Sequence, residues 1–311
     1  MAQVVNLGSL CIDYVYAVPN IAGDGETVAS ISRDIFAGGK GLNQSIAAAR
    51  AGSRVVHYGA VGADGQLLLD ALEAAGVDHG SVVVADVPSG HAVIQVNTAG
   101  QNAIVIHGGA NRTLTASYFA QAQNRLEPGD WLLLQNEING LAEFLAGLPD
   151  RNQRAYKVAM NLAPADERIF SYPLEQLDLL IVNEVEACPL AGVDNVASAQ
   201  QSLNERLPEV DVVLTLGALG AMSYTAGAGW SEFGAYRVEA VDETAAGDAF
   251  VGYLLAALAA GQDIRSSIES ASAAGALAVT VAGAAPSVPS ADAVQAFLNS
   301  HGELPPARAS A

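Results

Sequence analysis

Lysine is nearly missing from this chain of 311 residues: Lys40 and Lys157 are the only two. Lys and Arg together number 14 against 33 acidic residues, a formal net charge of −19. Nucleic acids and anionic membrane surfaces are gripped through basic patches, so neither is an expected partner. Cysteine is equally scarce. Cys11 and Cys188 form no C-x-x-C and no metal-ligand spacing, which excludes a disulfide framework. No apolar run approaches the ~18 residues of a spanning helix, and the opening MAQVVNLGSL has no basic stretch before an apolar one. Neither a membrane anchor nor a leader is expected, and a cytoplasmic enzyme is the anticipated class.

What is present is apolar bulk. Hydrophobic residues make up 51% and charged ones only 15%, which excludes a disordered chain and allows one large α/β domain or two small ones. The acidity has two open readings: a surface suited to a salty interior, where counterions screen self-repulsion, or drift toward Ala and Arg. Under either, a lysine inside a glycine cluster stands out.

Hydrophobic patterning predicts strands at 3–7, 54–59, 91–97, 103–107, 131–135, 156–161, 177–182 and 210–216, with a partly exposed strand or lid at 26–36. Helices are predicted at 42–51, 66–75, 116–126, 138–145, 184–190, 196–206, 248–260, 264–281 and 291–299. Strands alternating with helices imply a mostly parallel sheet covered on both faces. The tail 303–311 reads as disordered.

In such a sheet, ligands collect beyond the carboxyl ends of strands. That rule selects Asn136-Glu137, Asn161, Asn183 and Thr215-Leu216-Gly217, each of which alone also suits a turn. The strongest local signal is Asp242-Glu243-Thr244-Ala245-Ala246-Gly247-Asp248, running into an apolar helix. Small residues allow close approach, and the first amides of a helix lack internal partners, so the segment suits an anion. Such amides stabilise a migrating phosphoryl group, and Asp248 beside them can take a proton from an attacking hydroxyl. A second signal is Ala37-Gly38-Gly39-Lys40-Gly41-Leu42-Asn43-Gln44, with Lys40 and Asn43 on one face of a first turn. It is not a Walker A loop, because no Ser or Thr follows Lys40. Third, Asn183 and Glu186 share a helix entrance from which an amide and a carboxylate can reach phosphate and hydrated Mg²⁺. Asp13, after Gly8-Ser9, is an acceptor suited to sugar hydroxyls.

These residues, in this order, resemble the ribokinase family of carbohydrate kinases, the PfkB group. The resemblance runs through Gly8-Ser9 with Asp13, Gly38–Gly41 with Asn43-Gln44, the 106–111 segment IHGGAN, the 161–165 segment NLAPA, Asn183 with Glu186, Thr215–Gly220, Val241–Phe250, Ala278–Thr280 and Gly283–Pro289. It implies a Rossmann-like α/β fold with a mostly parallel central sheet flanked by helices. It also implies one domain over 1–311, with a small β-sheet lid formed by parts of 13–36 and 91–107 and a homodimer through that lid. By the same resemblance Asp248 is the catalytic base, Ala245, Ala246 and Gly247 are anion-hole amides, and Asp13, Gly39, Lys40, Asn43, Glu137 and Asp248 contact the sugar. Asn183, Glu186, Thr215, Leu216, Gly217, Ala218, Leu219, Gly220, Gly247 and Ser272 contact ATP, with Glu186 reaching Mg²⁺ through water. Asp242, Thr244, Ala278, Val281, Gly283 and Ser287 hold an activating K⁺.

The implied activity is ATP-dependent phosphorylation of the primary hydroxyl of a pentose, ribose first. Four positions depart from the family pattern. Cys11 stands where an Asn commonly touches the sugar, Leu42 replaces a small residue, Ala245 stands for Gly, and Ser272 replaces a larger polar side chain near the adenine. Cys11 and Leu42 keep a nucleoside, a hexose or a keto-sugar acid open as acceptor. A non-catalytic sugar or nucleotide sensor is disfavoured, since it needs no base. A nicotinamide dehydrogenase is rejected, since Gly8-Ser9-Leu10 is no G-x-G-x-x-G.

Overall fold

The segment Gln3–Leu7 is buried at every position, because it lies between two parallel neighbours and is covered on both faces. It is β1 of a computed structural model that describes residues 2–305. The elements follow in chain order: β2 (Cys11–Val18), β3 (Ser32–Gly38), α1 (Lys40–Arg50), β4 (Arg54–Tyr58), β5 (Ala60–Val61), α2 (Gln66–Ala74), β6 (Val83–Val84), β7 (Gly90–Asn97) and β8 (Asn102–His107). Next come α3 (Ala116–Asn124), β9 (Trp131–Gln135), α4 (Leu141–Ala146), β10 (Lys157–Asn161), β11 (Leu179–Asn183), α5 (Glu184–Ala191) and α6 (Val196–Arg206). The chain closes with β12 (Asp211–Thr215), β13 (Ala221–Thr225), β14 (Gly229–Phe233), α7 (Ala246–Ala259), α8 (Ile264–Ala278) and α9 (Ala291–His301).

Eight strands form the central sheet in the order β14-β13-β12-β11-β10-β9-β1-β4. The six from β12 to β4 run parallel, and β13 and β14 add an antiparallel edge. Alternate side chains feed two cores. Val4, Leu133, Ala159 and Ile181 pack toward α1, α2, α7, α8 and α9, while Val5, Leu132, Val158 and Leu180 pack toward α3 to α6. The fold is therefore the mixed α/β architecture expected. A separate sheet, ordered β3-β2-β7-β8, stands beside it, and β5 pairs with β6 in a third.

From β1 the chain passes to β4 on one side and later to β9 on the other, so the strand order reverses between β1 and β9. That reversal opens a crevice at the carboxyl ends. Helix α1 is drawn tightly onto α7 because Gly252 lacks a side chain; a Cβ there would lie 2.3 Å from the Ala47 Cβ and 2.7 Å from the Ala48 amide nitrogen.

The structure differs from the patterning in several places. Strands β2, β13 and β14 were not predicted: β2 is a mixed run completed by pairing with β3 and β7, and β13 and β14 are short mixed runs that pair as a local hairpin beside β12. Strand β3 begins at Ser32, six residues later than expected, and only Ile31 ahead of it pairs with Ala17. Helices α1 and α7 each begin two residues earlier than expected, taking Lys40 and Gly247 into their first turns. Helix α4 starts after Gly140 at φ 72, not at Ile138, and α8 ends at Ala278. Of the tail read as disordered, 306–311 lies outside the described residues.

Candidate active site

Asp248 lies in the first turn of α7 and is buried, yet its carboxylate is fully directed. Asn43 Nδ2 donates to Oδ2 at 2.9 Å, and Gln44 Nε2 donates to Oδ1 at 2.9 Å. Both donors sit on α1, in the turn that follows Gly39. That glycine has φ 92, and a Cβ there would crowd Cys11, which is why the turn calls for glycine. Asn43 Oδ1 is buried without a partner, an acceptor that a ligand hydroxyl would satisfy.

The start of α7 is strained. Ala245, its N-cap, has φ 61, the one positive φ outside glycine among the described residues. The amides of Gly247 and Asp248 have no backbone acceptor among the described residues, whereas that of Ala246 turns back to the Glu243 carbonyl at 3.3 Å. A Cβ on Gly247 would meet nothing within 4 Å, so that amide borders open space. The space is a cavity of about 180 Å³ lined by Lys40, Asn183, Thr215, Ala245, Gly247 and Asp248, together with Asn161 and Glu243. An anion entering it meets a helix N-terminus and a lysine.

Lys40 is the electrostatic hub. Burial works to lower its pKa, but Asp248, Glu137 and Glu186 around it hold the ammonium above its ordinary value. Glu137, leaving the end of β9, accepts from the Ser9 hydroxyl and from the Lys40 backbone N–H at 2.9 Å, tying the β1 end to the glycine turn. Asp13 faces the same ground from β2. A Cβ on Gly38 would fall 2.1 Å from Asp13 Oδ2, so a glycine opposite makes room for that carboxylate. Burial, then Glu137 and Asp248, push Asp13 up to about 6 against the opposing pull of the neighbouring Cys11 thiol. Burial, with Asp13 and Glu137, raises the Cys11 thiol far above its ordinary range, so it stays protonated.

At the end of β11, Asn183 caps α5. Its Oδ1 accepts from the Glu186 N–H and its own N–H donates to Glu186 Oε2, both at 2.9 Å. Burial raises the Glu186 pKa, opposed by Asn183 and Lys40. One bond from Asn183 leaves a carboxylate able to accept from a hydrated divalent ion. No cluster of three His, Cys, Asp or Glu side chains able to hold a metal occurs among the described residues, but an ion carried by phosphates needs only one or two carboxylates. The donor set therefore fits Mg²⁺ delivered with a nucleotide. Thr215 ends β12, and Leu216 and Gly217–Gly220 form the partly exposed turn after it. Ser272 lies half-buried on α8 and, like that turn, outside the cavity lining.

A further oxygen-rich corner joins the loop before α7 to the loop after α8. Asp242 Oδ1 accepts from Thr244, its Oδ2 accepts from the Gly283 N–H at 2.8 Å, and its own N–H donates to the Val279 carbonyl at 3.1 Å. Burial would raise the Asp242 pKa, but the bonds from Gly283 and Thr244 hold it below its ordinary value. Ala278 and Val281 flank this corner in sequence, and Ser287 is buried with its hydroxyl on the Ala284 carbonyl. An anionic carboxylate amid backbone carbonyls suits a monovalent cation.

Of the predicted residues, Asp13, Lys40, Asn43, Glu137, Glu186 and Asp248 thus converge from β2, α1, β9, α5 and α7, whereas Leu216–Gly220, Ser272 and the Asp242 corner lie outside the cavity lining. Patterning selected Asn161 but missed the roles of Ser9, Gln44 and Gln135. Gln44 donates to both Asn161 Oδ1 and Asp248, and Gln135 donates to Gln44. The available signal was polarity in apolar settings, as in the strand WLLLQ ending at Gln135.

Residues 1–291 match the family model described as pfkB family carbohydrate kinase. The chain is 34% identical over 302 residues to the ribokinase of Haemophilus influenzae, covering 94% of this chain and 97% of that one. Two solved structures resemble it over nearly their whole lengths. Ribokinase from Cryptococcus neoformans var. grubii serotype A in complex with ADP superposes with a TM-score of 0.84 at 32% identity, covering 95% and 99% of the two chains. Arabidopsis thaliana ribokinase complexed with ribose and ATP gives 0.82 at 28% identity, covering 96% and 99%.

The Asp13 carboxyl has a folded pKa of about 6 against an ordinary 3.8. The folded state therefore binds the extra proton between those values, and this group's contribution to stability falls as pH rises through that window. Asp13→Asn removes the penalty, so the variant melts higher than the parent at pH 7.5, by the equivalent of at most about 3 kcal/mol. The advantage shrinks at pH 5. Melting curves showing an equal difference at both pH values would disprove the shift.

Proposed function

Since the chain belongs to the pfkB family of carbohydrate kinases, we propose that it is an ATP-dependent ribokinase acting on the primary 5-hydroxyl of ribose. The observation that carries this is Asp248, held by Asn43 and Gln44 at the amide-lined mouth of α7 beside Lys40. Ribokinases, one of them solved with ribose and ATP, resemble it over nearly their whole lengths.

In this reading the sugar lies between Asp13, Lys40, Asn43 and Glu137, with the backbone of Gly39 approaching it closely. Asp248 accepts the proton of the primary hydroxyl as its oxygen attacks the γ-phosphorus. The Gly247 and Asp248 amides, with the strained turn at Ala245 and Ala246, meet the charge that spreads over the migrating phosphoryl oxygens. Asn183 and the turn Thr215–Gly220 hold the nucleotide, and Ser272 borders its base. Mg²⁺ bound with ATP neutralises phosphate charge, and Glu186 is the residue placed to reach it through water. Most of the rate then comes from positioning and fixed dipoles.

Asp242, Thr244, Ala278, Val281, Gly283 and Ser287 are proposed to hold the activating K⁺. Because that corner is bonded to the loop that leads into α7, an ion there steadies the anion-binding turn. The β3-β2-β7-β8 sheet is proposed as the lid and as the contact between two copies. In support, Ile35, Val93, Ile104, Val105 and Ile106 of that sheet are exposed. The chain is expected to work in the cytoplasm, and no helix among the described residues is long and apolar enough to cross a membrane.

Asp248→Asn lowers kcat by about 10²–10⁴-fold with ribose still bound, and ribose leads a panel of pentoses, hexoses, nucleosides and keto-sugar acids tested for ATP consumption. Full turnover in the variant removes the assigned base, and another acceptor outranking ribose removes the substrate. Replacing K⁺ by Li⁺ at fixed ionic strength lowers kcat, which equal rates in the two salts would contradict. Sedimentation gives a dimer that Val105→Asp dissociates; a monomeric parent rules out the lid contact.

A further inference from the structure

A run of polar side chains crosses the core from the back of α1 to Asp248. Asn6, Gln44, Ser45, His57 and Gln135 are each fully shielded from solvent. Gln44 Nε2 donates to Asp248 Oδ1, and Gln44 Oε1 accepts from Gln135 Nε2 at 2.8 Å. Gln135 Nε2 also donates to Asn6 Oδ1 at 3.0 Å. Asn6 Nδ2 donates to the Gly41 carbonyl at 2.7 Å and to Ser45 Oγ at 2.8 Å, and Ser45 Oγ meets His57 Nδ1 at 2.8 Å.

These bonds permit only one direction. A backbone carbonyl cannot donate, so Gly41 fixes the Asn6 amide with its NH₂ toward the glycine turn. Asn6 Oδ1 then demands a donor, which fixes Gln135, and Gln135 in turn fixes Gln44. At the far end Ser45 Oγ accepts from Asn6, and its own hydrogen is satisfied when it donates to His57, which requires a neutral imidazole with Nδ1 bare. Burial supplies it, holding His57 down at about 3. A flipped Gln44 amide would set a carbonyl oxygen against the Asp248 carboxylate.

As a device for stability alone the run is poor. Gln135 Oε1 and His57 Nε2 are buried without a well-made bond, where apolar side chains would leave nothing unpaired. We propose that His57, Ser45, Asn6, Gln135 and Gln44 are positioning residues for Asp248, their one-way hydrogen-bond chain locking the Gln44 NH₂ onto the carboxylate. The same chain holds the Gly41 carbonyl, so it sets the Lys40 turn and the carboxylate from one frame. The inference rests on the proposed role of Asp248 as base.

The decisive variant is Gln135→Met, which keeps the side chain's length and removes both donors. Its kcat falls by about 10-fold or more while KM for ribose and for ATP stays within about twofold, because misaimed chemistry, not binding, is lost. His57→Leu lowers kcat by a smaller factor, and His57→Asn, which returns an acceptor to Ser45, restores most of it. An unchanged kcat in Gln135→Met overturns the proposal, as does a kcat loss matched by an equal change in KM and a shrinking folded fraction. If Gln135→Met does not fold, the His57 pair decides alone, and equal kcat values in Leu and Asn overturn it. Full turnover in Asp248→Asn would instead strike the assigned base; an inactive Asp248→Asn beside a fully active Gln135→Met strikes only the chain.

Discussion

The approach of α1 to α7 is the constraint on which the site depends. Asp248 belongs to one helix, its two donors to the other, and the bonds close only where the helix backbones nearly touch. Gly252 against Ala47 and Ala48 makes that distance possible, since any side chain there would meet the Ala48 backbone. Small residues one turn below the chemistry thus decide whether the carboxylate has partners at all. A buried carboxylate without them would be costly, so packing and electrostatics are settled at the same interface.

Charge is arranged around that interface with little redundancy. Asp13, Glu137, Glu186 and Asp248 all act on the same small volume, and among the described residues Lys40 is the cation placed with them. In a chain of two lysines, this one is fixed by its neighbours and not by composition. Burial, and then the surplus of carboxylates, raises the proton affinity of Asp13. That surplus also makes the site reliant on cations that arrive with phosphate. Cys11 belongs to this balance, since its protonated thiol lies two residues from Asp13 on the same strand and opposes the rise in the Asp13 pKa.

Much of the site was legible without coordinates because its parts are local. Gly38–Gly41 with Asn43, Asn183 with Glu186, and Asp242–Asp248 are each a turn feeding a helix, and short-range geometry makes such turns conspicuous. The alternation of strands and helices announced the parallel sheet in the same way, since both periods are written within a few residues of chain. Strand β2 was not legible, because it is completed by β7 far along the chain, and β13 and β14 escaped because their five-residue runs mix polar and apolar side chains without a clear alternation. Gln44 and Gln135 escaped for a related reason. A glutamine's neighbours, not its sequence position, decide whether it is solvated or aims an amide at a carboxylate.

By itself, then, the sequence determined the kind of layered α/β protein, the anion-binding helix start and the chemistry of the residues available to it. Those properties follow from local backbone preference and side-chain type. Only the tertiary structure decided which of those residues meet. It set Asp248 between Asn43 and Gln44, gathered three carboxylates about Lys40, and gave the buried amides a single direction through the Gly41 carbonyl. Contacts between residues a hundred or more positions apart arise from packing, and no local pattern contains them.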